Sequence, residues 1–203
     1  MDKMDKFLLI TVATRRWLVV GEISFEGVPL DKTYGRKIPR LLDILNNPRS
    51  QKPFEVGGDF ILLRKASIQT RGGKSQKKKE LKKIYINREE VLYAYETDAR
   101  IIKNPLCYEA RYCKPKSRVC IYTDFGQKIT GLVVGGTNQL RLPQKKLFIA
   151  ITEVVVEDFE PKHTAFGLPF LALNYKTIVA FTPAEISQEE NAFLASASAS
   201  SAR

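Results

Sequence analysis

The densest chemistry in the sequence is cationic. Residues 64–83, RKASIQTRGGKSQKKKELKK, hold nine Lys or Arg and one Glu, a local charge of +8, which leaves +3 of the chain's +11 outside it. Clustered charge of one sign attracts a polyphosphate backbone by releasing its condensed counterions, without reading bases. The expected ligand is a polyanion, RNA or DNA foremost. The residues expected to meet it are Arg64, Lys65, Arg71, Lys74, Lys77, Lys78, Lys79, Lys82 and Lys83. Tyr85, Tyr93 and Tyr95 follow within reach as rings on which bases could stack. Alternation along a strand puts Tyr93 and Tyr95 on one face and Leu92 and Ala94 on the other. An acidic protein surface would meet the same lysines.

Bond-making chemistry finds no comparable support. Gly73-Lys74-Ser75 resembles the end of a phosphate-binding loop, but Ile68 stands where the first glycine of that loop belongs. There is no G-x-S-x-G, and the single histidine, His163, cannot form a two-histidine zinc motif. Cys107, Cys113 and Cys120 lack paired zinc-knuckle spacing, and an odd count suits reduced thiols. Glu153, Glu157, Asp158 and Glu160 are acids at strand spacing, for which a solvated face is the simpler reading than a cation site. The expectation is a non-enzymatic protein with no cofactor and no metal.

The elements that must carry these residues are short. Hydrophobic residues make up 44% and charged residues 27%, which suits a globular core. No apolar run approaches membrane-spanning length, and the first residues lack the shape of a signal peptide, so membrane insertion is not expected and a cytoplasmic location is. Runs rich in Val, Ile, Tyr and Phe are broken by Gly, Pro and Asn, and they predict strands at Phe7–Val12, Trp17–Phe25, Phe60–Ile68, Lys83–Asn87 and Val91–Glu96. A second set is predicted at Arg118–Tyr122, Lys128–Val134, Lys146–Glu157, Phe170–Asn174 and Thr177–Phe181. Pro39 opens a short helix that Asn46-Asn47-Pro48 stops, and Thr182-Pro183-Ala184-Glu185 reads as the cap of a C-terminal helix. The ASASASSAR tail is expected to be disordered.

The two strand sets run in one order. Each has a glycine in its second strand, Gly21 and Gly131, and an Asn shortly before its last, Asn87 and Asn174. The interval from Gly to Asn is 66 positions in the first set and 43 in the second, so the first carries inserted material. The order predicts an internal repeat. The expected fold is mainly β: two tandem small β-barrel-like domains, with a short helix in the first and a C-terminal helix. Their expected limits are 1–96 with a basic loop at 69–83, a linker at 97–117, a second barrel at 118–186, and the helix and tail at 187–203.

This alternation resembles the Sm-like and SH3-like small β-barrels. More narrowly, Gly21-Glu22-Ile23, Leu41-Leu42-Asp43-Ile44-Leu45-Asn46, Pro53-Phe54 and Ile86-Asn87 resemble a bacterial domain family of unknown function. Gly131-Leu132-Val133, Arg141-Leu142, Leu147-Phe148 and Leu173-Asn174 stand in their places in the second copy, without a clear D-x-L-N. The broader class implies ligand binding, often RNA, or ring assembly. The rival expectation from another functional class is therefore an assembly protein, making protein–protein contacts or self-associating through barrel edges and the C-terminal helix.

Overall fold

The computed structural model describes residues 7–26, 40–46, 59–71, 78–97, 116–135, 137–141, 146–158 and 165–184. The chain divides into two compact units, Met1–Asp98 and Ala99–Arg203. The first holds β1 (Phe7–Thr14), β2 (Trp17–Ser24), helix α1 (Leu41–Asn46), β3 (Phe60–Thr70), β4 (Lys79–Asn87) and β5 (Val91–Glu96). The second holds β6 (Lys116–Thr123), β7 (Gln127–Val134), helix α2 (Asn138–Arg141), β8 (Phe148–Asp158), β9 (Ala165–Asn174) and β10 (Ile178–Pro183). The protein is mainly β, and within each unit the strand pairs are antiparallel.

Both units use the same order. It is β5-β1-β2-β3-β4 in the first and β10-β6-β7-β8-β9 in the second, with the last strand of each unit beside its first. Apolar alternation sets the core face. In the first unit Leu8, Ile10, Val12, Val19, Ile23, Ile61 and Leu63 are all at most 1% exposed. Leu41, Ile44 and Leu45 of α1 are buried too. The helix is tied down by Glu96, whose carboxylate accepts the Leu41 amide N–H at 3.2 Å.

Small devices recur at matching places in the two units. Asn87 caps a one-turn 3-10 helix by accepting from Glu89 N at 3.0 Å, and Asn174 does the same for Lys176 N at 2.9 Å. The residue after each Asn donates its N–H just ahead of the third strand, Arg88 to Asp59 O and Tyr175 to Leu147 O. Thr14 Oγ1 accepts from Trp17 N at 3.0 Å and donates to Trp17 O at 3.3 Å. Thr123 Oγ1 clamps Gln127 the same way, at 3.3 Å on both bonds.

The two glycines have one explanation. The β2–β3 register shifts between Val20 and Glu22, and the β7–β8 register shifts between Thr130 and Leu132, so each glycine faces a bulge. The bulge residues, Lys65 and Glu153, hold left-handed backbone at φ 46 and φ 52. A Cβ on Gly21 would lie 3.1 Å from Arg64 O, and one on Gly131 would lie 2.6 Å from Ile151 Cγ2. Glycine to bulge is 44 positions in the first unit and 22 in the second, whereas bulge to Asn is 22 and 21. The inserted material therefore lies between β2 and β3.

Several expectations need correction. The described strands of each unit form an open ladder and not a closed barrel, since no pairing joins β4 to β5 or β9 to β10. The 3-10 turn after the fourth strand carries the chain across to the first strand, leaving the fourth at an edge of its own unit's ladder. Strand count and turn signals are the same for open and closed sheets, so the sequence could not separate them. The basic loop at 69–83 is also too long: residues 69–70 belong to β3 and 79–83 to β4. Thr182 and Pro183 end β10, paired with Cys120 and Val119, and so do not cap a helix there. The expected tail lies outside the described residues, as does nearly all of the expected linker. Helix α2, between β7 and β8, was not expected.

Replacing Gly131 with Ala should cost about 1–3 kcal/mol, because the new methyl meets a branched side chain and a backbone carbonyl. Gly21→Ala should cost less. Urea unfolding of both variants checks the order.

Candidate polyanion-binding hairpin

Strands β3 and β4 pair without a register shift from Phe60↔Asn87 to Ile68↔Lys79. What the sequence suggested as a basic loop at 69–83 is thus, at both of its ends, a regular hairpin. Among the described strands, its outer strand pairs on one side only, with β3. Lys79, Lys82 and Lys83 are exposed on β4, and exposed Lys78 directly precedes it. Alternation places Lys79 and Lys83 on one face and Lys82 on the other, so the edge is positive on both sides. Lysines on an edge strand also discourage pairing with a second chain, which accounts for part of this pattern without any ligand.

The remaining predicted cations divide. Lys65, raised on the bulge, pairs with Glu22 at 3.0 Å while staying 78% exposed. Arg64 is half-buried, with its guanidinium 5.2 Å from the Phe7 ring centroid. Arg71 belongs to the scaffold: its amide donates to Arg16 O at 2.9 Å and its Nη1 to Thr14 O at 3.1 Å. It also lies 5.9 Å from the Tyr93 ring centroid. Lys74 and Lys77 lie outside the described residues.

The tyrosines separate by strand. Tyr85 on β4 is 40% exposed, so its ring is presented to solvent. Tyr93 is 2% exposed and stacks on Tyr95, with centroids 6.4 Å apart. A ring so covered cannot take a base without rearrangement. Burial pushes the Tyr95 phenol above its ordinary value, and a hydrogen bond with Thr11 partly offsets this. The pairing of Tyr93 with Tyr95 on one face follows the expected alternation.

The β1–β2 turn adds residues that sequence reasoning missed. Arg15, Arg16 and Trp17 are exposed there, and the Arg71–Arg16 bond ties the turn to the end of β3. The signal was Arg15-Arg16-Trp17 itself, which is distant in sequence from residues 64–83 and meets the end of β3 only once β2 pairs with it.

Other candidates are engaged elsewhere. Glu157 pairs with Lys128 at 3.0 Å, Glu153 lies 3.5 Å from Arg118, and Gln127 donates to Asp158. Cys120 is a free thiol, with Sγ 3.4 Å from Thr130 Oγ1. Among the described residues no three His, Cys, Asp or Glu side chains gather as a metal site would need, and no helix is long and apolar enough to cross a membrane. Cys107, Cys113, Glu160 and His163 lie outside the described residues. No protein-family model matches the chain, and no curated protein matches it either.

The raised Tyr95 phenol has a consequence for stability. The neutral form is favoured in the folded state, so its contribution is complete below the ordinary tyrosine value of 10.0 and is lost as pH rises through the higher folded value. Urea midpoints should fall above about pH 10, and Tyr95→Phe should flatten that fall.

Proposed function

We propose that this is a non-catalytic binding protein whose basic β3–β4 hairpin captures a polyanion, RNA or DNA. The carrying observation is the set of exposed lysines, Lys78, Lys79, Lys82 and Lys83, on and beside a strand that, among the described strands, is paired along one edge only. The hairpin holds these charges along one strand, on both of its faces. Charges mounted on a paired strand lose less freedom on meeting a backbone of phosphates than charges on a loose loop would. The mechanism is electrostatic capture by counterion release, with sequence selectivity no part of it. The tight Asn-capped connection before the last strand of each unit supports kinship with the small β-barrel class, and we include that kinship in the proposal.

A second reading rests on β10. Among the described strands it pairs only with β6, and Val179 on it is 68% exposed. An apolar, one-sided edge suits pairing with another chain, which would make the protein an assembly component. Sedimentation of the protein against Val179→Lys reads this directly: a concentration-dependent dimer that disappears in the variant supports it, and a monomer throughout removes it.

The polyanion reading is tested by fluorescence anisotropy with a random single-stranded RNA and a duplex DNA, at low and physiological salt. Lys79→Ala, Lys82→Ala and Lys83→Ala combined should weaken both complexes alike. The slope of log K against log salt should become shallower by about 0.7–0.9 for each phosphate no longer neutralised. Unchanged binding by the triple variant, or none by the parent at low salt, would overturn it.

A further inference from the structure

The chain contains one tryptophan, and it is not in a core. Trp17 is 43% exposed at the start of β2. Its backbone is fixed at both polar groups by the Thr14 hydroxyl. The indole is therefore offered to solvent from a rigid mount. Arg15 and Arg16, also exposed, immediately precede it.

Register brings more positive charge to the same end of the sheet. Trp17 pairs with Thr70, and Arg71 follows with its hydrogen bonds to the turn. On the next strand Lys79 pairs with Ile68, and exposed Lys78 precedes it. Glu80 is the one acid in this stretch of β4. An exposed indole next to two exposed arginines, with two exposed lysines toward the same end of the sheet, is a different surface from an isolated exposed apolar residue, which would need no explanation.

The second unit supplies an internal control. It has the same turn clamp, Thr123 on Gln127, at the same place in the same strand order. There the clamped residue is 1% exposed and its amide donates to Asp158. The turn residues are Asp124, Phe125 and Gly126. The fold thus forms this hairpin without an aromatic ring at the clamped position and without cations in the turn. What Trp17, Arg15 and Arg16 add in the first unit is not demanded by the scaffold.

We propose that Trp17 is the stacking residue of a single-stranded nucleic-acid site, with Arg15, Arg16, Lys78 and Lys79 holding the phosphates on either side. This rests on the polyanion reading of the hairpin and narrows it. An exposed indole rewards a free base face, which a single strand offers and a duplex hides inside its stack. Indole is also the strongest ring for a cation, so neighbouring arginines can reinforce the same contact. The site belongs to the first unit alone.

The sole tryptophan makes its own reporter. Intrinsic fluorescence is titrated with oligo(U) and with duplex DNA of equal length, while anisotropy of labelled copies gives affinity. Stacking predicts that oligo(U) quenches Trp17 and duplex does not. Trp17→Ala should weaken oligo(U) binding roughly 5- to 100-fold and leave duplex binding unchanged, with Trp17→Phe close to the parent. Oligo(U) bound with no change in fluorescence, and equally by Trp17→Ala, would overturn the stacking role. If the Lys79, Lys82 and Lys83 variant still bound more weakly in that case, the polyanion reading would stand alone. No binding of either nucleic acid by anisotropy would remove both.

Discussion

Each unit turns on one close contact, a glycine in its second strand pressed against a bulge in its third. Gly21 admits the backbone of Arg64 and Ala66, and Gly131 admits Ile151 and Thr152. The bulge residue takes a left-handed conformation that costs a non-glycine side chain about 1–2 kcal/mol. The surrounding ladders hold it there in both units. The extra residue raises the local twist and re-aims the side chains beyond it. In the third strand of the first unit, Ile61 and Leu63 face the core before the bulge and Ala66 does so after it. Any side chain at the glycine would push the bulge outward, and the inward set on one side of it would be displaced.

The repeated scaffold makes surface differences informative. Caps, clamps and bulges recur at matching positions, so they answer to the fold. The residues that differ at those positions are not set by the recurring caps, clamps and bulges. In the first unit the clamped turn shows arginines and an indole, and the fourth strand shows lysines. In the second unit the clamped residue is buried against an aspartate, and the fourth strand runs Ala165 to Asn174 without a charged residue. Exposed cations at the clamped turn and on the fourth strand belong to one copy of a shared frame.

Much of the fold was legible because its punctuation is local. All ten strands appear near their expected places, and Val91–Glu96 matches residue for residue. The Asn caps were legible too, since an Asn before a three-residue gap works through its own side chain. The extent of the basic hairpin was not. Polar, lysine-rich sequence reads as loop, yet Lys79–Lys83 is extended because β3 offers it a ladder of backbone partners. The turn at Arg15–Trp17 was missed for a related reason: its neighbours at Thr70 and Arg71 are fixed by strand register, which sequence spacing does not reveal. Tyr93 looks available in the sequence because alternation shows which residues share a face but not whether that face is covered.

On the proposed reading, nucleic acid should engage one copy of the repeat and leave the other untouched. Amide hydrogen exchange, read by mass spectrometry with and without saturating oligo(U), tests this in a single experiment. Slower exchange is expected across residues 14–18 and 78–84 of the first unit, with unchanged exchange across 123–128 and 165–171 of the second. Equal protection of both units, or protection confined to the second, would contradict it.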